Sequence, residues 1–418
     1  KRFFLPSICS PSSLGALSPW RRRALAFAGG VMATLALPPV FLLPLLIPAF
    51  SILYLLIDNA ASSRRAFADG WWWGLGWHMS GLYWFCIALL TDPEKFAWLI
   101  PFAFFGLNAV IALYAALACW LWKKNPCRGL TGIFVFSVIW TLVEFARGHL
   151  FSGFPWNLAG YSFAVSDALL HSLALVGIYG LTWFAVFLGA LPAALADSRI
   201  ERKKAKTALS FAYGVLILSA IEGGWRLHQA GDTQYVDGIT LRLVQADIAQ
   251  EHKWDPALRA RGMGEYIKLT QSPGIEGITA VIWPETAVPY AFSENAPEGK
   301  IPIRKLLGAS LPPGTTLITG GLRVEGDPAA DWRAYNSIIA LDHNGNIMGT
   351  YDKARLVPFG EFLPLRSLLP KSWLTPVGEK DFSRGPGATV LKLEGLPVTR
   401  PLICYEVIYP GFVSAGGE

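Results

Sequence analysis

Charged side chains are scarce in this sequence. Asp, Glu, Lys and Arg make up only 16 % of its 418 residues, whereas 53 % are hydrophobic, which argues against an ordinary soluble protein. Cysteine and histidine are also few, at five and six. No two cysteines form a CxxC pair and none has a metal-ligand histidine nearby, so we expect no metal. Cys404 is the sole cysteine of the C-terminal half, which leaves it without a disulfide partner there.

The charges are divided unevenly along the chain. Residues 1–229 hold 18 basic and 9 acidic side chains, and residues 230–418 hold 18 and 21. A basic apolar half followed by a mildly acidic half predicts an α-helical transmembrane bundle and then a water-exposed domain. The basic residues cluster in short links between apolar runs, so nucleic acid is not an expected partner.

The N-terminal half contains apolar runs of the length that crosses a bilayer. We expect about seven crossings, at 20–37, 40–58, 66–90, 95–122, 129–148, 168–196 and 206–224. Basic residues concentrate in alternate links, as the positive-inside rule describes. An odd number of crossings then places residues 230–418 on the side of the membrane opposite the cytoplasm. The tryptophans at 71–73, 77 and 84 predict interfacial anchors, with a lipid-substrate surface as the alternative.

Residues 230–418 alternate between strand-like and helix-like patterns, which predicts a layered α/β domain. A helix is expected over 255–270, beginning at the N-cap residue Asp255. The dipeptides Asn344-Gly345 and Glu394-Gly395 predict hairpin turns. The strand-like stretches are 238–246, 278–283, 315–324, 337–341, 347–351, 388–393 and 396–399.

Three reactive side chains each follow a strand-like run: Glu285, Lys353 and Cys404. A cysteine thiolate is a strong nucleophile, a carboxylate can accept the thiol proton, and an ammonium group stabilises negative charge on sulfur or on an oxyanion. Alone, the cysteine would be read as a core thiol, and the other two as a buried salt bridge. Their combination favours nucleophilic catalysis.

The motifs around these residues resemble the nitrilase superfamily. They are Trp-Pro-Glu at 283–285, Lys353 followed by Pro-Phe-Gly-Glu-Phe at 358–362, and Cys-Tyr-Glu at 404–406. Together with the crossings and Gly-Phe-Pro-Trp at 153–156, the chain resembles the apolipoprotein N-acyltransferase family. The resemblance implies a nitrilase-like α-β-β-α sandwich with the catalytic triad Glu285, Lys353 and Cys404. It also implies a supporting carboxylate at Glu361 and substrate contacts at Trp156, Trp254, Tyr405 and Glu406.

The same resemblance implies acyl transfer from a membrane phospholipid to the N-terminal amine of a diacylglyceryl-modified apolipoprotein, without a cofactor. The enzyme would lie in the bacterial inner membrane with its catalytic domain outside the cytoplasm. Family members continue past the position of Glu418, so we expect the catalytic domain to be truncated here. Two alternatives remain open: a membrane-tethered amidase that uses water, and a transporter with an accessory domain.

The charge alternation generates a test of topology. In the variant Ala330→Cys, a membrane-impermeant maleimide should label residue 330 in intact spheroplasts, because the domain is expected outside the cytoplasm. Labelling that requires membrane lysis would reverse the predicted orientation. Thr207→Cys, next to the basic link at 199–206, serves as the control that should react only after lysis.

Overall fold

The computed structural model of the protein describes residues 14, 17–90, 93–253, 255–293, 302–326, 332–364, 366 and 380–413. The chain divides into two compact units, Lys1–Thr233 and Gln234–Glu418.

The first unit is helical. Seven helices, each overlapping one apolar segment, form its frame among the described residues: α1 Pro19–Leu35, α2 Leu46–Asp58, α3 Ser63–Gly81, α4 Ile100–Lys124, α5 Gly129–His149, α6 Leu173–Ala190 and α7 Arg202–Gln229. Single-turn helices at Pro93–Phe96 and Asp167–Leu170 lie in the links. Short 3₁₀ segments occupy Leu43–Leu45, Tyr83–Leu90, Ala97–Leu99, Ala159–Val165 and Leu191–Leu195.

Four helical stretches of the described chain are long and apolar enough to cross a membrane. They are Ala97–Lys124, Gly129–His149, Leu173–Leu195 and Arg202–Gln229, and Leu43–Asp58 is a shorter apolar stretch. Helices α1 and α3 overlap two more of the expected crossings, but the total of seven stays a prediction.

Aromatic rings from α2, α3 and α5 pack together in the core of the first unit. Trp73 packs against Phe50 and Trp140 with ring centroids 5.0 and 5.1 Å apart, and Trp77 lies 4.7 Å from Trp73. Both tryptophans are fully buried, so the expected interfacial anchoring is wrong for them. Glycine permits the close approach of α1 to α3, because a Cβ at Gly30 would lie 2.0 Å from the Trp73 carbonyl oxygen.

A buried ion pair joins α1 to α3. The guanidinium of Arg22 donates to both carboxylate oxygens of Asp69, at 2.9 and 2.6 Å, and also to the carbonyl of Leu56 at the end of α2. Arg22 belongs to the basic cluster that the sequence assigns to an inside link. It is only 2 % exposed, so this arginine holds the helix bundle together.

A second buried pair orders the loop after α5. Arg147 pairs with Glu144 one turn earlier, and its Nη1 donates to the carbonyls of Phe154 and Trp156 at 2.6 and 2.8 Å. The Trp156 ring lies 5.2 Å from that of Trp84. The Gly-Phe-Pro-Trp loop is therefore an ordered structure, held through its backbone by a buried guanidinium.

The described residues of the second unit form a six-stranded mixed sheet. Its strands are β1 Leu241–Leu243, β2 Ala280–Ile282, β3 Val288–Ser293, β4 Thr316–Gly326, β5 Trp332–Leu341 and β6 Ile347–Asp352. The order is β1-β2-β4-β5-β6, and β3 also pairs with β4. Strands β1, β2 and β4 run parallel, whereas β5 and β6 are antiparallel to their neighbours. Because β6 therefore runs in the same direction as β2, the carboxyl ends of these two strands lie at the same edge of the sheet.

This unit also contains the helices α8 Gln250–Lys253, α9 Arg259–Thr270 and α10 Ile303–Gly308. Met263 and Tyr266 of α9 and Leu307 of α10 pack with Val281 and Leu317 of the sheet in one buried cluster. The expected helix over 255–270 begins later, at Arg259, because the Asp255 carboxylate accepts from the Ala257 amide at 2.8 Å and stabilises a turn instead.

The two strands expected over 388–399 reduce to one antiparallel bridge. Leu391 and Thr399 exchange both backbone hydrogen bonds, at 2.8 and 2.9 Å. Pro397 has no amide hydrogen to extend the ladder. This short hairpin packs Leu391 and Leu393 against Ala340 of β5.

The contacts of Arg147 with the loop after α5 lead to a prediction for the first unit. Arg147→Met should lower the midpoint of thermal unfolding and speed hydrogen exchange over 151–158, because it leaves the Glu144 carboxylate buried without its partner. Arg226→Met is the matched control, since its pair with Glu222 is exposed and contributes little. Equal effects of both substitutions would contradict the proposed anchoring.

Candidate active site

Glu285 stands three residues beyond the end of β2. Trp283 anchors this exit, since its ring is buried and its Nε1 donates to Thr270 Oγ1 at 2.9 Å. The chain then turns through Thr286, which has a left-handed φ of 46°. Gly320 of β4 lies against this turn, where a Cβ would meet the Thr286 amide nitrogen at 2.4 Å. The turn presents the Glu285 carboxylate at a partly exposed position.

Lys253 braces the same turn from α8. Its ammonium donates to the Glu285 carbonyl at 3.0 Å and to Thr286 Oγ1 at 2.6 Å. Burial lowers the pKa of Lys253, and the Glu285 carboxylate opposes this shift. The sequence analysis missed this residue, although it directly precedes Trp254.

Lys353 follows β6 immediately and is buried, with 1 % of its surface exposed. Its amide donates to the Asn336 carbonyl at 2.9 Å, which continues the pairing of β6 with β5. Its ammonium donates to Glu361 Oε1 at 2.9 Å and lies 3.7 Å from Glu285 Oε1. One buried cation therefore lies between two carboxylates.

Glu361 is held from three sides. Its Oε1 accepts from Lys353 and from Asn336 Nδ2, the latter at 2.9 Å, and its Oε2 accepts from the Val357 amide at 2.8 Å. Asn336 also donates to Glu285 Oε1 at 2.7 Å, so its amide links both carboxylates. The sequence analysis missed Asn336, because it began the strand one residue later. A side-chain amide within a strand-like run is the signal that would have identified it.

Cys404 begins the 3₁₀ segment Cys404–Ile408, with a φ of 46°. The thiol is free and exposed. Protein atoms around the sulfur partly desolvate it, and this raises the pKa of the Cys404 thiol. The charge of Glu285 and the hydrogen bond that the thiol donates to Glu285 raise this pKa further. The Lys353 charge and the Tyr405 amide act in the opposite direction. The thiol thus lies beside its candidate base, and both residues line one cavity.

Glu406 is completely buried. Its Oε1 accepts from the Tyr351 hydroxyl at 2.8 Å and from the amides of Ala354 and Arg355 at 2.8 and 3.0 Å. Its Oε2 accepts from the Ile403 amide at 2.9 Å. This geometry argues against the substrate contact expected for Glu406. The carboxylate instead ties the backbone after Lys353 to the backbone before Cys404.

The remaining expected site residues are placed as follows. A cavity of about 210 Å³ lies beside the thiol and is lined by Cys404, Glu285 and Asn336 among others. Tyr405 is partly exposed, with its ring 5.3 Å from that of Tyr409. Trp156 lies in the ordered loop of the first unit, and Trp254 falls outside the described residues. Their contacts with substrate stay predictions.

This arrangement supports covalent catalysis by the thiol. A carboxylate lies where it could accept the thiol proton, and a buried ammonium group lies where it could favour the negative charge that would form on attack. The buried position of Lys353 strengthens this electrostatic effect, because water does not screen it. These features define a carbon–nitrogen hydrolase type of domain attached to apolar helices. They are the mixed sheet, a carboxylate and a lysine that each follow a strand, and a thiol at the start of a 3₁₀ segment.

Comparison with known proteins agrees with both units. The apolipoprotein N-acyltransferase N-terminal domain matches residues 29–191, and the carbon-nitrogen hydrolase domain matches residues 240–415. Apolipoprotein N-acyltransferases from Rhodopseudomonas palustris and Bradyrhizobium diazoefficiens are each 38 % identical over 96 % of this chain and 76 % of their own length. The relative from Caulobacter vibrioides is 36 % identical over 95 % of this chain and 75 % of its own. The chain belongs to the apolipoprotein N-acyltransferase family, and the expected nitrilase-like fold class is confirmed.

Because Glu285 raises the pKa of the Cys404 thiol and Lys353 lowers it, substitutions of these two residues should change the rate of thiol alkylation in opposite directions. Glu285→Gln removes a negative charge, so the Cys404 pKa should fall and alkylation by iodoacetamide at pH 7 should accelerate, by about tenfold for each unit of pKa. Lys353→Met should raise the pKa and slow alkylation. Mass spectrometry of the Cys404 peptide measures both rates, with Glu394→Gln in an exposed turn as the control. Slower alkylation in Glu285→Gln would exclude this electrostatic account.

Proposed function

We propose that this protein transfers an acyl chain from a membrane phospholipid to the N-terminal amine of a diacylglyceryl-cysteine on an apolipoprotein. The observation that carries the proposal is the convergence of Glu285 and Lys353 on Cys404, in a chain whose N-terminal half belongs to this acyltransferase family. The reaction completes lipoprotein maturation and uses this chain's own side chains as its catalysts.

In the first half-reaction, the Glu285 carboxylate accepts the thiol proton as sulfur attacks the ester carbonyl of the phospholipid. The Lys353 ammonium and the Tyr405 amide, which already influence the sulfur charge, favour the oxyanion that forms. Collapse breaks the ester C–O bond, and Glu285 returns the proton to the leaving alkoxide. A lysophospholipid departs and the acyl group remains on Cys404 as a thioester.

In the second half-reaction, the α-amine of the acceptor attacks the thioester carbonyl. The C–N bond forms, the C–S bond breaks, and the amine's proton passes through Glu285 to the Cys404 sulfur. Conversion of an ester to an amide is thereby divided into two easier steps, which need no energy-supplying cofactor.

The apolar helices explain why such chemistry is attached to a membrane protein. Both proposed substrates carry acyl chains, and moving a chain from lipid into water costs about 0.8 kcal/mol per CH₂ group. A reaction at the membrane surface avoids that cost. Together with the basic links, this supports a location in the bacterial inner membrane with the catalytic unit on the extracytoplasmic side.

A covalent intermediate tests the proposal. Incubation with phospholipid vesicles should add the mass of one acyl chain to Cys404, and hydroxylamine should release it. Cys404→Ala and Cys404→Ser should form no such adduct, because an alkoxide forms far less readily than a thiolate at neutral pH. Glu285→Gln should slow acylation by about 10²- to 10⁴-fold.

Addition of a diacylglyceryl-cysteine peptide should then move the acyl chain to the peptide amine. Release of free fatty acid in place of acyl-peptide would support the amidase alternative, in which water is the acceptor. Absence of any adduct in the unsubstituted protein would contradict the proposed transfer altogether. Arg304→Gln, on α10 and away from the thiol, is the control expected to acylate normally.

A further inference from the structure

We infer that Asn336 is a positioning residue, whose side-chain amide holds both Glu285 and Glu361 correctly oriented around Lys353. This inference rests on the proposed function, since it assigns a role within the same site. Its evidence is the contact of one amide nitrogen with two carboxylates, at 2.7 Å to Glu285 and 2.9 Å to Glu361.

The amide's orientation follows from its partners. Ionised carboxylates only accept hydrogen bonds, so the nitrogen, and not the oxygen, of the Asn336 side chain must face them. The residue is 3 % exposed, and its backbone is fixed between β4 and β6, where its carbonyl accepts from the Lys353 amide. A rigid strand therefore sets the separation of the two carboxylates.

The charge balance explains why a neutral donor is needed. Among the described residues, the charged groups around the amide are Glu285 from the β2 exit, Glu361, and Lys353 from the β6 exit, with the Cys404 thiol beside them. Lys253 reaches the Glu285 backbone from α8. Two carboxylates share one ammonium group at their Oε1 atoms, and like charges at close range repel each other. The amide offsets this repulsion without adding a further charge.

The same contact selects the catalytic oxygen. Glu285 Oε1 accepts from Asn336 and faces Lys353, which leaves Oε2 as the oxygen available for the thiol proton. Glu361 is occupied at both oxygens. Glu285 is thereby fitted to proton transfer and Glu361 to holding the lysine.

The pH dependence of acyl-enzyme formation tests this role. In Asn336→Leu, which is similar in size but donates no hydrogen bond, acylation of Cys404 should slow by about tenfold or more, as expected for loss of a hydrogen bond to a charged group. In the plot of acylation rate against pH, the rise on the acid side should move to higher pH by about one unit. The reason is that the carboxylates lose a hydrogen-bond donor that favours their ionised form. Asn336→Asp should shift it further, since a third carboxylate joins one ammonium group.

The profile is measured as initial rates of thioester formation on the full chain with phosphatidylethanolamine vesicles between pH 5 and 9. Ser310→Ala is the control, because it removes a buried hydrogen bond to the Leu307 carbonyl, away from the carboxylates, and should leave the acid limb in place. A uniform fall in rate at every pH in both Asn336 variants would show a merely structural residue and overturn the inference. Absence of thioester in the unsubstituted protein would instead contradict the proposed function.

Discussion

The catalytic unit depends on the compensation of one buried cation. An ammonium group as enclosed as that of Lys353 is strongly unfavourable unless charged and polar partners replace its water. Glu361 supplies the close contact and Glu285 the more distant one. Those partners come from separate parts of the chain, after β2 and in the turn at 357–361. Correct folding of the sheet and assembly of the catalytic charges are therefore the same event.

The backbone around this cation is unusually constrained. Thr286, Phe359 and Cys404 all have left-handed φ angles, of 46°, 63° and 46°, and each lies beside a site carboxylate or is the nucleophile. Non-glycine residues adopt this region at an energetic cost that the surrounding structure must offset. Glu406 provides part of that support at the nucleophile, because its carboxylate fixes the Ile403 amide and the two amides after Lys353. Lys253 does the same at the base.

The sequence predicted the residues at strand ends better than those within strands. Glu285, Lys353 and Cys404 stand out because a reactive side chain after an apolar run is conspicuous, and the structure brings them together. Asn336 is invisible to that logic, since its partners lie 51 and 25 residues away along the chain. Likewise, composition cannot separate an interfacial tryptophan from Trp73 or Trp77, which are buried by contacts between α3 and other helices. The burial of Arg22 could not be foreseen for the same reason, because its partner Asp69 is remote in sequence.

The site's charge explains how the buried Lys353 ammonium can assist the exposed thiol. Before acylation, one ammonium group faces two carboxylates, which gives a net charge of −1 with a neutral thiol. When Glu285 accepts the proton, the negative charge passes to sulfur and then to the oxyanion, and the total is unchanged. Lys353 lies 3.7 Å from Glu285 and lowers the pKa of the Cys404 thiol. It can therefore stabilise the negative charge on the carboxylate, on the sulfur and on the oxyanion without a large movement. Glu361 holds the lysine throughout. Because charge is displaced and none is created, the burial of Lys353 strengthens its attraction for the oxyanion without opposing the formation of that oxyanion.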